Sequence, residues 1–222
     1  MEYFAVSYNR EIKAKKIEAV LCDFLGENNI RGKIILDLGC GSGHIAEYFA
    51  QHNEVIAADV MDQVTTQKKD GFTFKNITAG ILPFEDNSFD IVIFNHVMYC
   101  MQDQYRQLKD IYRILKKTGI CYLATANRYF PVEGFTRLPF IHYLPNRLFR
   151  TLSKSIKRSE ADLFPLGYHK IIHLIKKAGF SFHEYTGKII RNPEKYHSEY
   201  RVPFHLPVPN CISPTVVFIL RK

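Results

Sequence analysis

One stretch constrains the fold more than any other: KIILDLGCGSGHIAEYF, residues 33–49. Its first half is a continuous apolar run, the pattern of a strand buried on both faces of a parallel sheet. Three glycines follow at alternate positions, Gly39, Gly41 and Gly43, and a helical pattern opens at Ser42. Glycines there let the backbone turn tightly and approach a ligand without a Cβ in the way. The free N–H groups of the helix start favour a carboxylate beside them. A dinucleotide turn requires G-x-G-x-x-G. Here the spacing is G-x-G-x-G, with His44 at the sixth position and Asp37 before the first glycine. That combination suits a ligand carrying an ammonium group and a carboxylate better than it suits a pyrophosphate.

The rest of the chain extends a strand–helix alternation. NREIKAKKIEAVLCDFLGENN spaces Ile12, Ile17, Val20, Leu21, Phe24 and Leu25 as a helix that ends at Gly26. EVIAADV, GFTFKNIT, FDIVIFN and ICYLATAN read as further strands, and DQYRQLKDIYRILKKTG as an amphipathic helix closing on Gly119. GYHKIIHLIKKAGF returns to helix, and FSFHEYTGKII and TVVFILRK to strands. Such alternation predicts an α/β fold with a doubly wound parallel sheet. Two irregular stretches, 128–166 and 191–214, interrupt the second half, and long connections of this kind are often functional. The expected organisation is a single unit over 1–222: a helical segment at 1–30, a ligand-binding core at 31–127, and the two insertions on the substrate side.

Composition narrows the partners. The chain has 222 residues, of which 46% are hydrophobic and 23% charged, as in a soluble globular protein. It has no apolar run of membrane-spanning length, and MEYFAVSYNREIKAKK lacks the apolar centre of a secretory signal. A cytoplasmic location is therefore expected. Five cysteines without a CxxC pair argue against disulfides and a zinc site, and no metal is expected. A net charge of +8 is compatible with nucleic acid, anionic lipid or an anionic substrate, and equally with a solvated surface.

Asp59 ends the second strand, twenty residues after Gly39. An acid there can accept both hydroxyls of a ribose; capping a short helix that starts at Val60 is the competing reading.

Together, ILDLGCGSG, Asp59, LPFEDNSFDIVIFNHVMYCM and IYRILKKTGICYLATAN resemble the class I S-adenosylmethionine-dependent methyltransferases of small-molecule type. The resemblance spans about residues 30–127 with the last helix and strands. It implies a Rossmann-like seven-stranded sheet, mostly parallel with an antiparallel last strand, and S-adenosyl-L-methionine as cofactor. It also implies roles. Asp37 and the Gly39 carbonyl would face the methionine amino group, and Gly41 and Gly43 would leave room for the methionine chain. Asp59 would hold the ribose, Val60 and Met61 would pack on adenine, and Asn95 would lie near the methionine. Relatives carry an acid four residues before the Leu of LPF, where this chain has Thr78. A hydroxyl there can accept from the adenine amino group, at a loss of about 1 kcal/mol of charge assistance. Asn76 on the same strand face and the N–H of Ala79 can also read the adenine edge.

Methyl transfer is an in-line displacement in which alignment supplies much of the rate. A hydroxyl or amine acceptor needs a base for its proton. His96, just after the fourth strand, is the first candidate; His142, His169 and His197 are alternatives, and a packed or solvent-facing ring is the competing account for each. NRYFPVEGFTRLPFIHYLP is similar to a segment of methyltransferases linked to surface sugars or lipids, although Phe135 stands where many relatives have histidine. Residues 128–158 hold seven basic side chains against the single acid Glu133, interleaved with six aromatics. A lid over an anionic or lipid-linked acceptor, a peripheral contact with an anionic membrane, and base stacking all fit that pattern. The absence of a recognised RNA-binding module weighs against nucleic acid. The resulting expectation is methylation of a small or lipid- or sugar-linked acceptor at oxygen. The competing readings are a non-catalytic S-adenosylmethionine-binding module and a nicotinamide-dependent dehydrogenase.

Overall fold

The apolar runs form the sheet that their pattern requires. In the computed structural model, which describes residues 2–62, 64, 71–78, 80–132, 138–155, 163–198 and 210–222, seven strands lie in one sheet. They are β1 (Ile34–Leu38), β2 (Glu54–Asp59), β3 (Thr73–Asn76), β4 (Phe89–Asn95), β5 (Leu115–Ala126), β6 (Ser181–Glu184) and β7 (Thr215–Arg221). The order is β3-β2-β1-β4-β5-β7-β6, with β7 antiparallel to both neighbours and the first five strands parallel. Among the described residues, six α-helices flank it: α1 (Glu2–Leu25), α2 (His44–Ala50), α3 (Gln104–Ile114), α4 (Asn146–Ser155), α5 (Tyr168–Lys177) and α6 (Thr186–Arg191).

Side chains alternate across each strand, and the two faces build separate cores. Leu36, Val92, Phe94, Leu123 and Phe218 pack with α3 and α5 through Leu108, Ile111, Ile171 and Ile175. Ile35, Ile91, Ile93, Tyr122 and Ile219 pack on the other face with Ile17, Leu21, Ala46, Phe49 and Ile189. Asp23 of α1 accepts hydrogen bonds from Tyr185 Oη (3.0 Å) and from Lys195, which ties the first helix to the C-terminal region. All five cysteines are free thiols. No described helix is long and apolar enough to cross a membrane.

Four elements differ from the sequence expectation. The helix expected from Ser42 starts at His44, because Gly41 (φ 52°) and Gly43 (φ 82°) adopt left-handed backbone that a right-handed helix excludes. The helix expected to run to Gly119 ends at Ile114, where Leu115 turns extended and pairs with Phe89. Its amphipathic pattern continues past the helix because Leu115 stays buried as a strand residue. GKII is part of α6 rather than of a strand; Tyr185 takes helical backbone and Thr186 Oγ1 accepts from the Val217 N–H (3.0 Å). The 128–166 insertion contains α4, whose turn of leucines and cations the prolines around it obscured.

Candidate functional site

The carboxyl ends of β1, β2 and β4 converge on the glycine turn. Gly39 donates its N–H to the Ala58 carbonyl (2.7 Å), which holds the turn against the end of β2. Gly39 (φ 74°) has no room for a side chain: a Cβ there would lie 2.3 Å from Val97 Cγ2. Gly41 is the opposite case. A Cβ on it would meet nothing within 4 Å, so the turn faces open space at that residue.

Asp37 sits under the turn, 2% exposed. Among the described residues its Oδ2 has no hydrogen-bond partner. Burial pushes its carboxyl up to about 7; a backbone hydrogen bond from Ala46 opposes that shift and the nearby Asp59 charge adds to it. A buried oxygen without a donor, beside a second carboxylate, is a site prepared for a cation. An ammonium group would complete it. The residues present thus fit the expected cofactor on two counts, the unpartnered Asp37 oxygen and the open face of Gly41.

Asp59 is already part of this framework. Its Oδ2 accepts from the Gly41 N–H (2.8 Å) and its Oδ1 from the Met61 N–H (3.2 Å). A carboxylate has about four acceptor positions, so room remains for ribose hydroxyls. Val60 and Met61 form a bend rather than the short helix, and are 50% and 54% exposed, an uncovered apolar pair at the rim. The register pairs Asp59 with Asn76, and Asn76 Nδ2 donates to the Val60 carbonyl (3.4 Å). Thr78 follows, exposed, two residues beyond that pair. Ala79 and Phe135 lie outside the described residues.

The loop after Thr78 is clamped to α3. Leu82 donates its N–H to Asp110, and Arg113 donates to the Leu82 carbonyl (3.0 Å), the Phe84 carbonyl (2.7 Å) and Asp86 (2.8 Å). Phe84 packs edge-on against Phe89 at the start of β4. Asp90 is structural: it accepts from the Ile34 N–H (2.9 Å) and from Lys116 Nζ (2.8 Å).

Asn95 closes β4, opposite Ala124. His96 follows in left-handed backbone (φ 58°), fixed by its N–H on the Ala124 carbonyl (2.7 Å). A histidine tolerates that conformation better than most residues, but it remains uncommon and is often found at functional positions. The ring lies 6.2 Å from that of Tyr99. Desolvation, with Lys16 and Lys13 of α1 adding to it, holds the imidazole down to about 4, so it is neutral at physiological pH. A cavity of about 120 Å³ lies where α1, α6 and the start of β7 meet, lined by Lys16, Thr186, Ser213 and Thr215. Of the alternative histidines, His169 is exposed against Tyr168 and Tyr129, and His197 is exposed in a turn; the side chain of His142 lies outside the described ones.

The structure therefore brings Asp37, Gly39, Gly41, Gly43, Asp59 and His96 to one end of the sheet. Sequence reasoning missed Val97, Tyr99 and the two lysines of α1. Val97 and Tyr99 were within reach of it, one and three residues beyond His96. The lysines carry no local signal, because only the packing of α1 on the sheet brings them there.

Comparison with known proteins bears on the fold and the family. Residues 36–123 match the model of a family described as methyltransferase domain. A demethylmenaquinone methyltransferase of Lactococcus lactis is 29% identical over 177 residues, 71% of this chain and 69% of the relative. A ubiquinone biosynthesis O-methyltransferase of Coxiella burnetii is 25% identical over 115 residues, 48% of this chain and 49% of the relative, so the match spans about half of that protein. Among solved structures, an S-adenosylmethionine-dependent methyltransferase from Mesorhizobium loti superposes with a TM-score of 0.63 at 16% identity, over 87% of this chain and 92% of that one.

Proposed function

We propose that the chain is a class I S-adenosylmethionine-dependent methyltransferase, a reading supported by the methyltransferase-domain match over residues 36–123 and by the shared fold, and that it methylates a phenolic or quinol-type hydroxyl on a small, largely apolar acceptor. In this reading His96 receives the hydroxyl proton. S-adenosyl-L-methionine supplies a methyl group already activated on a sulfonium sulfur. Asp37 and the Gly39 carbonyl would hold its ammonium group, Gly41 and Gly43 leave space for its chain, Asp59 would hold the ribose, and Val60, Met61 and Thr78 would border the adenine. Asn95 would border the methionine end.

The observation that carries the acceptor proposal is the position of His96, just past the carboxyl end of β4 beside the glycine turn, fixed in left-handed backbone by its N–H on the Ala124 carbonyl. A neutral imidazole can accept a proton at any physiological pH, but one held down to about 4 is a weak base. It matches an acidic hydroxyl, such as a phenol with a pKa near 10, far better than an aliphatic alcohol. The relative named as an O-methyltransferase of ubiquinone biosynthesis supports a hydroxyl acceptor; the relative named for demethylmenaquinone supports a quinone-type ring but not the oxygen, because the methyl that demethylmenaquinone lacks sits on a ring carbon.

The test is His96→Ala assayed with a panel of catechol and quinol acceptors and radiolabelled cofactor. General-base loss lowers kcat about a hundredfold to ten-thousandfold, while affinity for S-adenosylhomocysteine stays unchanged. Unaltered turnover by the variant would remove His96 from the mechanism. Methylation confined to carbon or nitrogen atoms would remove the hydroxyl.

Asp37 gives the donor side a pH signature. Its carboxyl must ionise to meet an ammonium group, and its pKa in the free protein is about 7. Affinity for S-adenosylhomocysteine therefore rises several-fold from pH 6 to pH 7.5, as the ionised fraction grows. The ligand-free protein responds with the opposite sign. Its Asp37 pKa lies above the unfolded value, so the native state keeps a proton that the unfolded chain has lost. That contribution to stability is fully present below about pH 4 and is lost as pH rises through 7. Calorimetric titration across this range checks the first statement, and Asp37→Asn should flatten the dependence. A flat wild-type profile would mean that Asp37 is not the ammonium partner.

A further inference from the structure

We propose that α4 and the turn before it form a docking face for an anionic lipid bilayer. Three large apolar side chains stand exposed there: Phe140 is 61% exposed, Leu148 55% and Leu152 42%. Leu148 and Leu152 are one helical turn apart and share a face. Phe149, beside them on the helix, is fully buried with Tyr99, Ile141 and Leu163 and anchors the helix to the body of the protein. Phe140 is held in left-handed backbone (φ 59°) by its N–H on the Pro131 carbonyl (2.7 Å), a conformation rare for a bulky side chain.

The helix itself brings charge of one sign: its sequence, NRLFRTLSKS, holds Arg147, Arg150 and Lys154 and no acid. Arg147 is exposed. A short helix with leucines on one side and cations beside them lies in the headgroup region of a membrane, leucines inward and cations at the phosphates. The other occupants fit less well. A second copy of the chain would bring like charges together across a symmetric interface. A single-stranded nucleic acid would stack on aromatic rings, whereas the exposed apolar side chains of the helix are leucines. The face also bears on the site: Phe149 rests on Tyr99, whose ring contacts His96. Docking would set the acceptor side of the enzyme against the bilayer. The inference goes beyond the acceptor proposed above and does not depend on it.

The test is co-sedimentation of the full chain with vesicles of phosphatidylglycerol mixed into phosphatidylcholine, against vesicles of phosphatidylcholine alone. The wild type binds the anionic vesicles and not the neutral ones. The double variant Leu148→Gln, Leu152→Gln partitions at least about tenfold more weakly, and Arg147→Glu also weakens binding to the anionic vesicles. Unchanged affinity of each variant for S-adenosylhomocysteine shows that it is folded. No wild-type binding, equal binding to neutral vesicles, or double-variant binding equal to wild type would overturn the proposal. So would self-association or RNA binding that the same double variant abolishes. Failure of the wild type to bind S-adenosylhomocysteine would instead strike the cofactor assignment and leave vesicle binding to be judged by itself.

Discussion

Asp59→Ala weakens S-adenosylhomocysteine binding about a hundredfold or more in a protein that remains folded. The carboxylate ends β2 at the foot of the glycine turn, with its two oxygens on the N–H groups of Gly41 and Met61. In the proposed site its remaining acceptor positions would take the ribose hydroxyls. Two charge-assisted hydrogen bonds to ribose hydroxyls, each contributing about 1.5 kcal/mol, account for roughly that change in affinity. Losing the Gly41 contact adds to it by loosening the turn. Asp59→Asn separates the two contributions: it retains one acceptor oxygen and the volume but not the charge, and falls between wild type and alanine. Isothermal titration measures all three proteins. An alanine variant within threefold of wild type would mean that Asp59 serves only to brace the turn.

The second large effect lies away from the cofactor. Arg113→Ala lowers the free energy of unfolding by about 2–4 kcal/mol, measured by chemical denaturation. Its guanidinium joins Asp110, Asp86 and the carbonyls of Leu82 and Phe84. The ion pairs contribute modestly, since Asp86 is well exposed and the arginine partly so. The larger share comes from two carbonyls that lose their donor and from the loop that they hold. Lysine cannot restore the arrangement, because a single ammonium point lacks the planar fork that reaches four acceptors. Arg113→Lys therefore recovers little of the loss. A variant as stable as wild type would show that the loop is held by Leu82 and Phe84 packing alone.

The parallel half of the sheet was legible because its strands are continuous apolar runs, and β1 with the glycine turn left few alternatives. The antiparallel direction of the last strand came from family resemblance rather than from residue pattern, and its insertion between β5 and β6 was not read at all. Boundaries failed where one residue serves two purposes. Leu115 continues the spacing of α3 yet belongs to β5, and Ile189 and Ile190 look like strand residues yet sit on α6. The motif LPFEDNSFD was readable, but its reason was not: Arg113, about thirty residues away, receives no mark in the sequence as the clamp. His96 was visible as a candidate by position alone. Its neutral state depends on enclosure and on lysines of α1 eighty or more positions earlier, and only the folded chain brings these together.

The contact between Gly39 and Val97 has an evolutionary consequence. Because the valine occupies the volume that any side chain at Gly39 would need, the glycine turn and the residue next to His96 are fitted to each other. A side chain can enter at Gly39 only if Val97 becomes smaller in the same step, so the two positions are constrained as a pair.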